Sequence, residues 1–171
     1  MSSSLSSDMS LRVAEPHDSE GIVQLVTKVL DEYGETICLE PGGAEADLQD
    51  LRSYFEPGGC FWVLEDTVFQ KIVGTHAMLP VDEFTCTFKR LYLHRDLRGT
   101  DCGHRLMQRA IDFAKENSFE RIEFWSDTRF ERAHRFFEKC GFERSNQVRT
   151  MSDSFEPYQE YHFFKVIDPA I

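Results

Sequence analysis

The chain has 171 residues, 41% of them hydrophobic and 13% aromatic, which is enough to bury one continuous core and too few residues for two ordinary domains. That composition excludes a largely disordered chain, because disordered chains lack the apolar side chains that offset ordering entropy. A formal net charge of -11 argues against nonspecific binding to nucleic acid or an anionic membrane, since both require Lys and Arg to neutralise phosphate, and it suits a cationic small molecule or basic peptide.

Residues 1–10, MSSSLSSDMS, are Ser-rich without a basic n-region or apolar h-region, so they read as a flexible tail and not a secretory signal. The domain then occupies 11–168, and no apolar run in it approaches the roughly 20 residues that span a bilayer. Leu11 to Glu15 predicts a short first strand. Asp18 is placed to cap a helix in which Ile22, Leu25, Val26, Val29, Leu30 and Tyr33 draw one apolar stripe. After Pro41-Gly42-Gly43, the spacing of Leu48, Leu51 and Phe55 predicts a second, acidic helix ended by Pro57-Gly58-Gly59.

Cys60 to Glu65, Lys71 to Leu79 and Phe84 to Leu93 read as three strands rich in β-branched and aromatic residues, with short connections that make them antiparallel. A helix from about Gly103 to Asn117, a strand Arg121 to Ser126 and a helix from about Phe130 to Cys140, stopped by Gly141, follow. Two last strands, near Phe142 to Val148 and Glu160 to Val166, complete an α/β architecture. It is a mixed, mostly antiparallel central sheet of about seven strands flanked by about four helices.

Cys38, Cys60, Cys86, Cys102 and Cys140 are odd in number and scattered, with neither a C-x-x-C pair nor Cys/His at zinc-ligand spacing. This points to a reducing, cytoplasmic compartment. The histidines likewise have no partner at metal-ligand spacing, so no metal is assigned. No Ser or Cys occupies a nucleophile elbow, which argues against covalent catalysis.

The most informative stretch runs from Leu91 through Tyr92 and Leu93 to Arg98, Gly99, Thr100, Asp101, Cys102, Gly103 and His104, where a strand enters a turn and then a helix. Successive N–H groups at a helix start have no intrahelical partner and, with the helix dipole, can hold an anion. Arg95, Arg98, His104, Arg105 and Arg109 concentrate positive charge there in an otherwise acidic chain. A lone Gly-rich turn with solvated arginines has the same pattern, so the turn needs its context.

In that context Arg98 and Gly103 match the R-x-x-G-x-G/A turn of the GNAT superfamily of N-acetyltransferases, which this chain resembles over about residues 11 to 167. A second anchor, Ala133-His134-Arg135-Phe136-Phe137-Glu138-Lys139-Cys140-Gly141-Phe142, is similar to the family's fourth helix ending in G-F. The resemblance implies the acyl-CoA N-acyltransferase fold, with acetyl-CoA as co-substrate in a V-shaped gap between the fourth and fifth strands. Leu91, Tyr92 and Leu93 would then hold the pantetheine arm, and Arg98 to His104 the pyrophosphate. It also implies transfer of acetyl to a primary amine by direct attack, on a small molecule or basic peptide, and leaves a homodimer open.

The chain departs from that pattern at three positions. Asp101 replaces the first motif glycine and brings a carboxylate and a Cβ to where phosphate would approach. Phe137 stands where the family commonly has a Tyr that protonates the leaving thiolate, and Thr87 where many members carry a general-base Glu. These changes support an alternative, a catalytically degenerate CoA-binding sensor or interaction module. If Pro80 to Glu83 forms a tight hairpin, His76 lies across from Thr87 and becomes either the replacement base or a histidine satisfied within the sheet. Asp127 either binds a substrate ammonium or caps the fourth helix.

Overall fold

A computed structural model describes residues 8–168. In chain order its elements are β1 (Met9–Val13), α1 (Ser19–Asp31), a short α2 (Arg52–Phe55), β2 (Cys60–Asp66), β3 (Lys71–Pro80) and β4 (Thr85–Leu93). They continue with α3 (Cys102–Glu116), β5 (Arg121–Asp127), α4 (Glu131–Lys139), β6 (Glu143–Met151) and β7 (Tyr158–Val166). The strands form one 7-stranded sheet in the order β1-β2-β3-β4-β5-β7-β6, and every neighbouring pair is antiparallel except β4 with β5.

Strand alternation explains how the two faces are covered. On β2, Phe61 and Val63 point to one side, where Ile22, Val26 and Leu30 of α1 join Leu48 and Tyr54. Cys60 and Trp62 point to the other, where they meet Met107, Ala110 and Ala114 of α3. That second core continues through Phe88, Phe124, Phe137, Phe142 and Phe163. Phe124 sits at its centre, stacked on Phe163 at 5.4 Å and edge-on to Phe137 at 4.7 Å. Gly141, with φ 89, ends α4 in the left-handed conformation that glycine tolerates at a helix terminus.

Several details differ from the sequence reading. Residues 1–7 of the expected tail lie outside the described residues, but Met9 and Ser10 already belong to β1, and Met9 packs with Leu64 and Leu106. Asp18 does not cap α1. Its carboxylate takes Arg12 Nη1 and Nη2 at 2.7 and 2.9 Å and the Glu15 amide at 2.8 Å. The second helix is split into a 3-10 turn, Ala46–Gln49, and α2.

The hairpin register also changes. Asp82 Oδ1 accepts the amides of Phe84 and Thr85 at 2.8 Å, so the turn runs longer than a tight hairpin, and Thr87 faces Leu79 instead of His76. His76 instead lies beside Lys89, on the same side as Met78 and Phe88, with its ring edge-on to Phe88 at 4.5 Å. An odd displacement turns a side chain to the other sheet face.

No helix among the described residues is long and apolar enough to cross a membrane. All five cysteines are free thiols. No cluster of His, Cys, Asp or Glu suited to a metal occurs among the described residues.

Candidate active site

The parallel pairing of β4 with β5 is confined to Thr85↔Arg121, Cys86↔Ile122 and Thr87↔Glu123. Beyond that rung the strands separate, although β4 stays paired to β3 and β5 to β7. The β4 backbone from Phe88 onward therefore presents an edge with no partner strand, and unpaired N–H and C=O groups there need another partner. Between β3 residues Thr75 and Ala77 the ladder shifts, and Arg90 on β4 takes φ 61. This is a bulge, which re-aims the neighbouring side chains.

Arg90 is held on the α2 side by carboxylate and carbonyl groups. Its Nε lies 3.2 Å from Asp47 Oδ2 and 3.3 Å from the Tyr54 hydroxyl, and its Nη2 bonds Asp47 and the Ala44 carbonyl. The bulge is therefore tied to the loop before α2. A cavity of about 460 Å³ opens at the gap, lined by Thr87, Leu91 and Tyr92 on β4, Glu123 and Trp125 on β5, and Phe137 on α4.

At the end of β4, a 3-10 turn, Arg95–Leu97, leads to Gly99 with φ 83 and then to α3. Cys102 N–H is taken by Thr100 Oγ1 at 3.3 Å, and Thr100 N–H by the Leu97 carbonyl at 3.2 Å. The amides of Asp101, Gly103 and His104 find no protein acceptor among the described residues. These amides at the start of a helix of 15 residues form a donor set that fits a phosphate. A Cβ at Gly103 would meet the Phe136 ring at 3.5 Å, an ordinary van der Waals contact, so α4 packs over the turn at a distance that would admit alanine.

Asp101 is exposed, lies at the N-cap of α3 and makes no ion pair among the described residues. Arg98 is engaged elsewhere, bonding Glu32 at the C-terminus of α1 and the Leu93 carbonyl. The expected cluster of basic residues is divided. Arg105 reaches the Met9 carbonyl at 3.3 Å, and Arg109 pairs with Glu116 at 2.8 Å while covering Trp62. Arg95 and Arg98 instead line a second cavity, of about 420 Å³, with Arg132 and Arg135 of α4.

His76 lines the large cavity but is fully buried. Its Nδ1 lies 3.3 Å from the Lys89 carbonyl, its Nε2 has no protein partner, and burial pushes its pKa down to about 4. The imidazole is therefore neutral, and protonating it would bury a charge with no counter-ion beside it. Asp127 holds Arg129 through its amide at 3.0 Å and its Nε at 2.9 Å, and it makes no capping bond to α4. Arg129 also bonds Glu35, which fastens the loop after α1 to the end of β5.

The large cavity is lined by further charged and aromatic groups. Glu160 accepts Arg149 Nε at 2.8 Å, and burial raises its pKa. Tyr158 donates to Asp153 at 2.7 Å. Glu45 accepts the Cys38 amide at 3.0 Å and is also raised by burial. Lys89 is lowered by burial, foremost, and by Arg90.

Sequence alone does not indicate Arg90, whose partners Asp47 and Ala44 lie 43 and 46 residues away, nor that Glu32 pairs with Arg98 across 66 residues.

Residues 24–142 match the family described as the acetyltransferase (GNAT) family. N-acetyltransferase 8 from Homo sapiens is 31% identical over 133 residues, covering 72% of this chain and 54% of that protein. The chain spans about half the length of the curated relatives it matches. An acetyltransferase from Streptococcus agalactiae superposes with a TM-score of 0.79 at 22% identity, over 94% of this chain and 99% of that one. A putative acetyltransferase from Salmonella typhimurium, solved with its cofactor acetyl-CoA, does so with a TM-score of 0.72 at 15% identity, over 95% and 96%. With the family match covering most of the chain, and the fold shared over nearly its full length, this protein belongs to the GNAT family of acetyltransferases.

Proposed function

We propose that this chain transfers an acetyl group from acetyl-CoA to a primary amine by direct attack of the amine on the thioester. The observation that carries the reading is the end of β4–β5 pairing at Thr87↔Glu123, which frees the β4 edge beside a turn with unsatisfied amides. Leu91, Tyr92 and Leu93 are assigned to the pantetheine arm, with the turn of Arg98, Gly99, Thr100, Asp101, Cys102, Gly103 and His104 holding the pyrophosphate. Acetyl-CoA supplies the activated carbonyl. The chain supplies orientation, a dry floor of Phe88 and Phe124 stacked at 5.6 Å, and proton transfer.

Phe137 has no proton to donate to the departing thiolate. A thiol with a pKa near about 8.5 still leaves, so its loss slows the reaction without stopping it. The carboxylates of Glu35, Asp127 and Glu160 on the cavity wall suit a cationic amine, small or peptidic. A second reading, CoA binding without turnover, is favoured by Phe137 and by the exposed Asp101 carboxylate next to the free amides.

Calorimetric titration with acetyl-CoA, followed by thiol release with primary amines, separates these. Binding with turnover supports acetyl transfer, binding alone supports the sensor reading, and no binding contradicts both.

A further inference from the structure

On the open face of β5 and β7, three side chains form a connected polar chain that neither the motif comparison nor the cofactor assignment uses. Ser145 Oγ lies 2.9 Å from Nδ1 of His162, and Nε2 of His162 lies 3.5 Å from Oε2 of Glu123. Ser145 follows Arg144, the Cα partner of Phe163, so the antiparallel register carries it across from His162 just before β6 bulges. His162 is 5% exposed, beside Trp125 at 4.9 Å and Phe164 at 6.3 Å.

The carboxylate selects the tautomer. An ionised Glu123 can only accept, so in the neutral imidazole Nε2 carries the hydrogen toward it and Nδ1 accepts the Ser145 hydroxyl. Ser145 Oγ in turn accepts the Gln147 amide at 3.2 Å. Glu123 is the Cα partner of Thr87 on the last paired rung, at the floor of the gap, and lines the large cavity. Its Oε2 also meets Arg121 Nε at 3.3 Å, while Oε1 has no protein partner among the described residues.

The other cavity carboxylates are bound differently. Glu35 and Asp127 are held by Arg129, Glu160 by Arg149, Asp153 by Tyr158 and Glu45 by a backbone amide. Glu123 is the cavity carboxylate joined to a buried histidine. It also lies next in sequence to Phe124, on which Phe137 packs at 4.7 Å.

We propose that Glu123 accepts the proton of the incoming ammonium, and that His162, locked by Ser145, is the positioning residue that presents it. This rests on the acetyl-transfer reading. The ammonium proton passes to Oε1 of Glu123, directly or through one water, and from there to solvent. The neutral nitrogen forms the C–N bond to the acetyl carbon, and the C–S bond breaks. The second nitrogen proton leaves with the thiolate as the CoA thiol.

The test compares wild type, Glu123→Gln, Glu160→Gln and His162→Gln of the full chain, with spermidine and a lysine peptide as probe amines. Calorimetry gives acetyl-CoA affinity, and thiol release gives kcat and KM against pH. E123Q is expected to keep acetyl-CoA affinity within twofold and lose about a hundredfold in kcat at pH 7. It should recover as pH approaches about 10, where roughly a third of a lysine-type amine is neutral. H162Q is expected to lose about tenfold in kcat with the KM for acetyl-CoA unchanged.

The proposal is overturned by wild-type kcat in E123Q, by a loss that pH does not recover, by pH-recovered loss in E160Q in its place, or by wild-type kcat in H162Q. A wild-type chain that binds no acetyl-CoA overturns the acetyl-transfer reading and this proposal with it. Binding and turnover unaffected by E123Q overturn the proposal alone.

Discussion

Arg98 and Glu32 form a bidentate ion pair, Nη1 to Oε1 at 3.1 Å and Nη2 to Oε2 at 2.6 Å, that joins the phosphate turn to the end of α1. A phosphate arriving at the turn competes with Glu32 for this guanidinium. The two side chains are 21% and 25% exposed, so the pair is partly screened and contributes on the order of 1 kcal/mol. Glu32→Gln is expected to tighten acetyl-CoA binding about two- to fivefold by calorimetry, whereas Arg98→Ala weakens it about tenfold. Weaker binding in E32Q would contradict the competition.

Phe137→Tyr puts a phenol where the leaving thiolate lacks a proton donor. The residue is 5% exposed and packs on Phe124 and Phe163, but it also lines the large cavity, so the hydroxyl has a route to it. The substitution is expected to raise kcat about tenfold and to change acetyl-CoA affinity by less than twofold. An unchanged kcat would place the sulfur away from α4.

Asp47→Ala should destabilise the protein by about 3 kcal/mol, because it strands the Arg90 guanidinium, which is 14% exposed, beside the bulge. The value is set near the low end of such losses because Asp47 itself is 28% exposed. Urea unfolding of D47A measures it. A loss below about 1 kcal/mol would show that the clamp is dispensable.

His76 makes stability depend on pH in a defined window. Its pKa is about 4 in the folded chain and about 6.5 when unfolded, so between these values only the unfolded chain takes up the proton. Stability is complete above pH 6.5 and falls as pH drops toward 4, by up to about 3 kcal/mol, before this contribution levels off. His76→Leu is expected to flatten that segment of the profile measured by denaturant unfolding. An unchanged slope would mean that the imidazole is not held neutral.

The fold was legible because its signals are local. Apolar runs such as Cys60–Leu64, the stripe from Ile22 to Leu30 and the terminator Gly141 each act within a few residues. The strand–turn–helix junction at Arg98 to His104 was legible for the same reason, since its glycines and the start of α3 lie within a few residues. The hairpin register was not, because it depends on one carboxylate, Asp82, taking two amides and lengthening the turn. The partner of Arg98 lies 66 residues away, and the Ser145–His162 contact joins two strands across 17 residues of sequence. The register turned His76 away from Thr87, and burial there holds its imidazole neutral, neither of which the sequence displays.

The central claim is that the splayed β4 edge and the amides of Asp101, Gly103 and His104 form a working cofactor site. Calorimetric titration of the purified chain with acetyl-CoA tests it most directly. The account predicts micromolar one-to-one binding that Arg98→Ala weakens about tenfold. No heat of binding with the wild-type chain would contradict it.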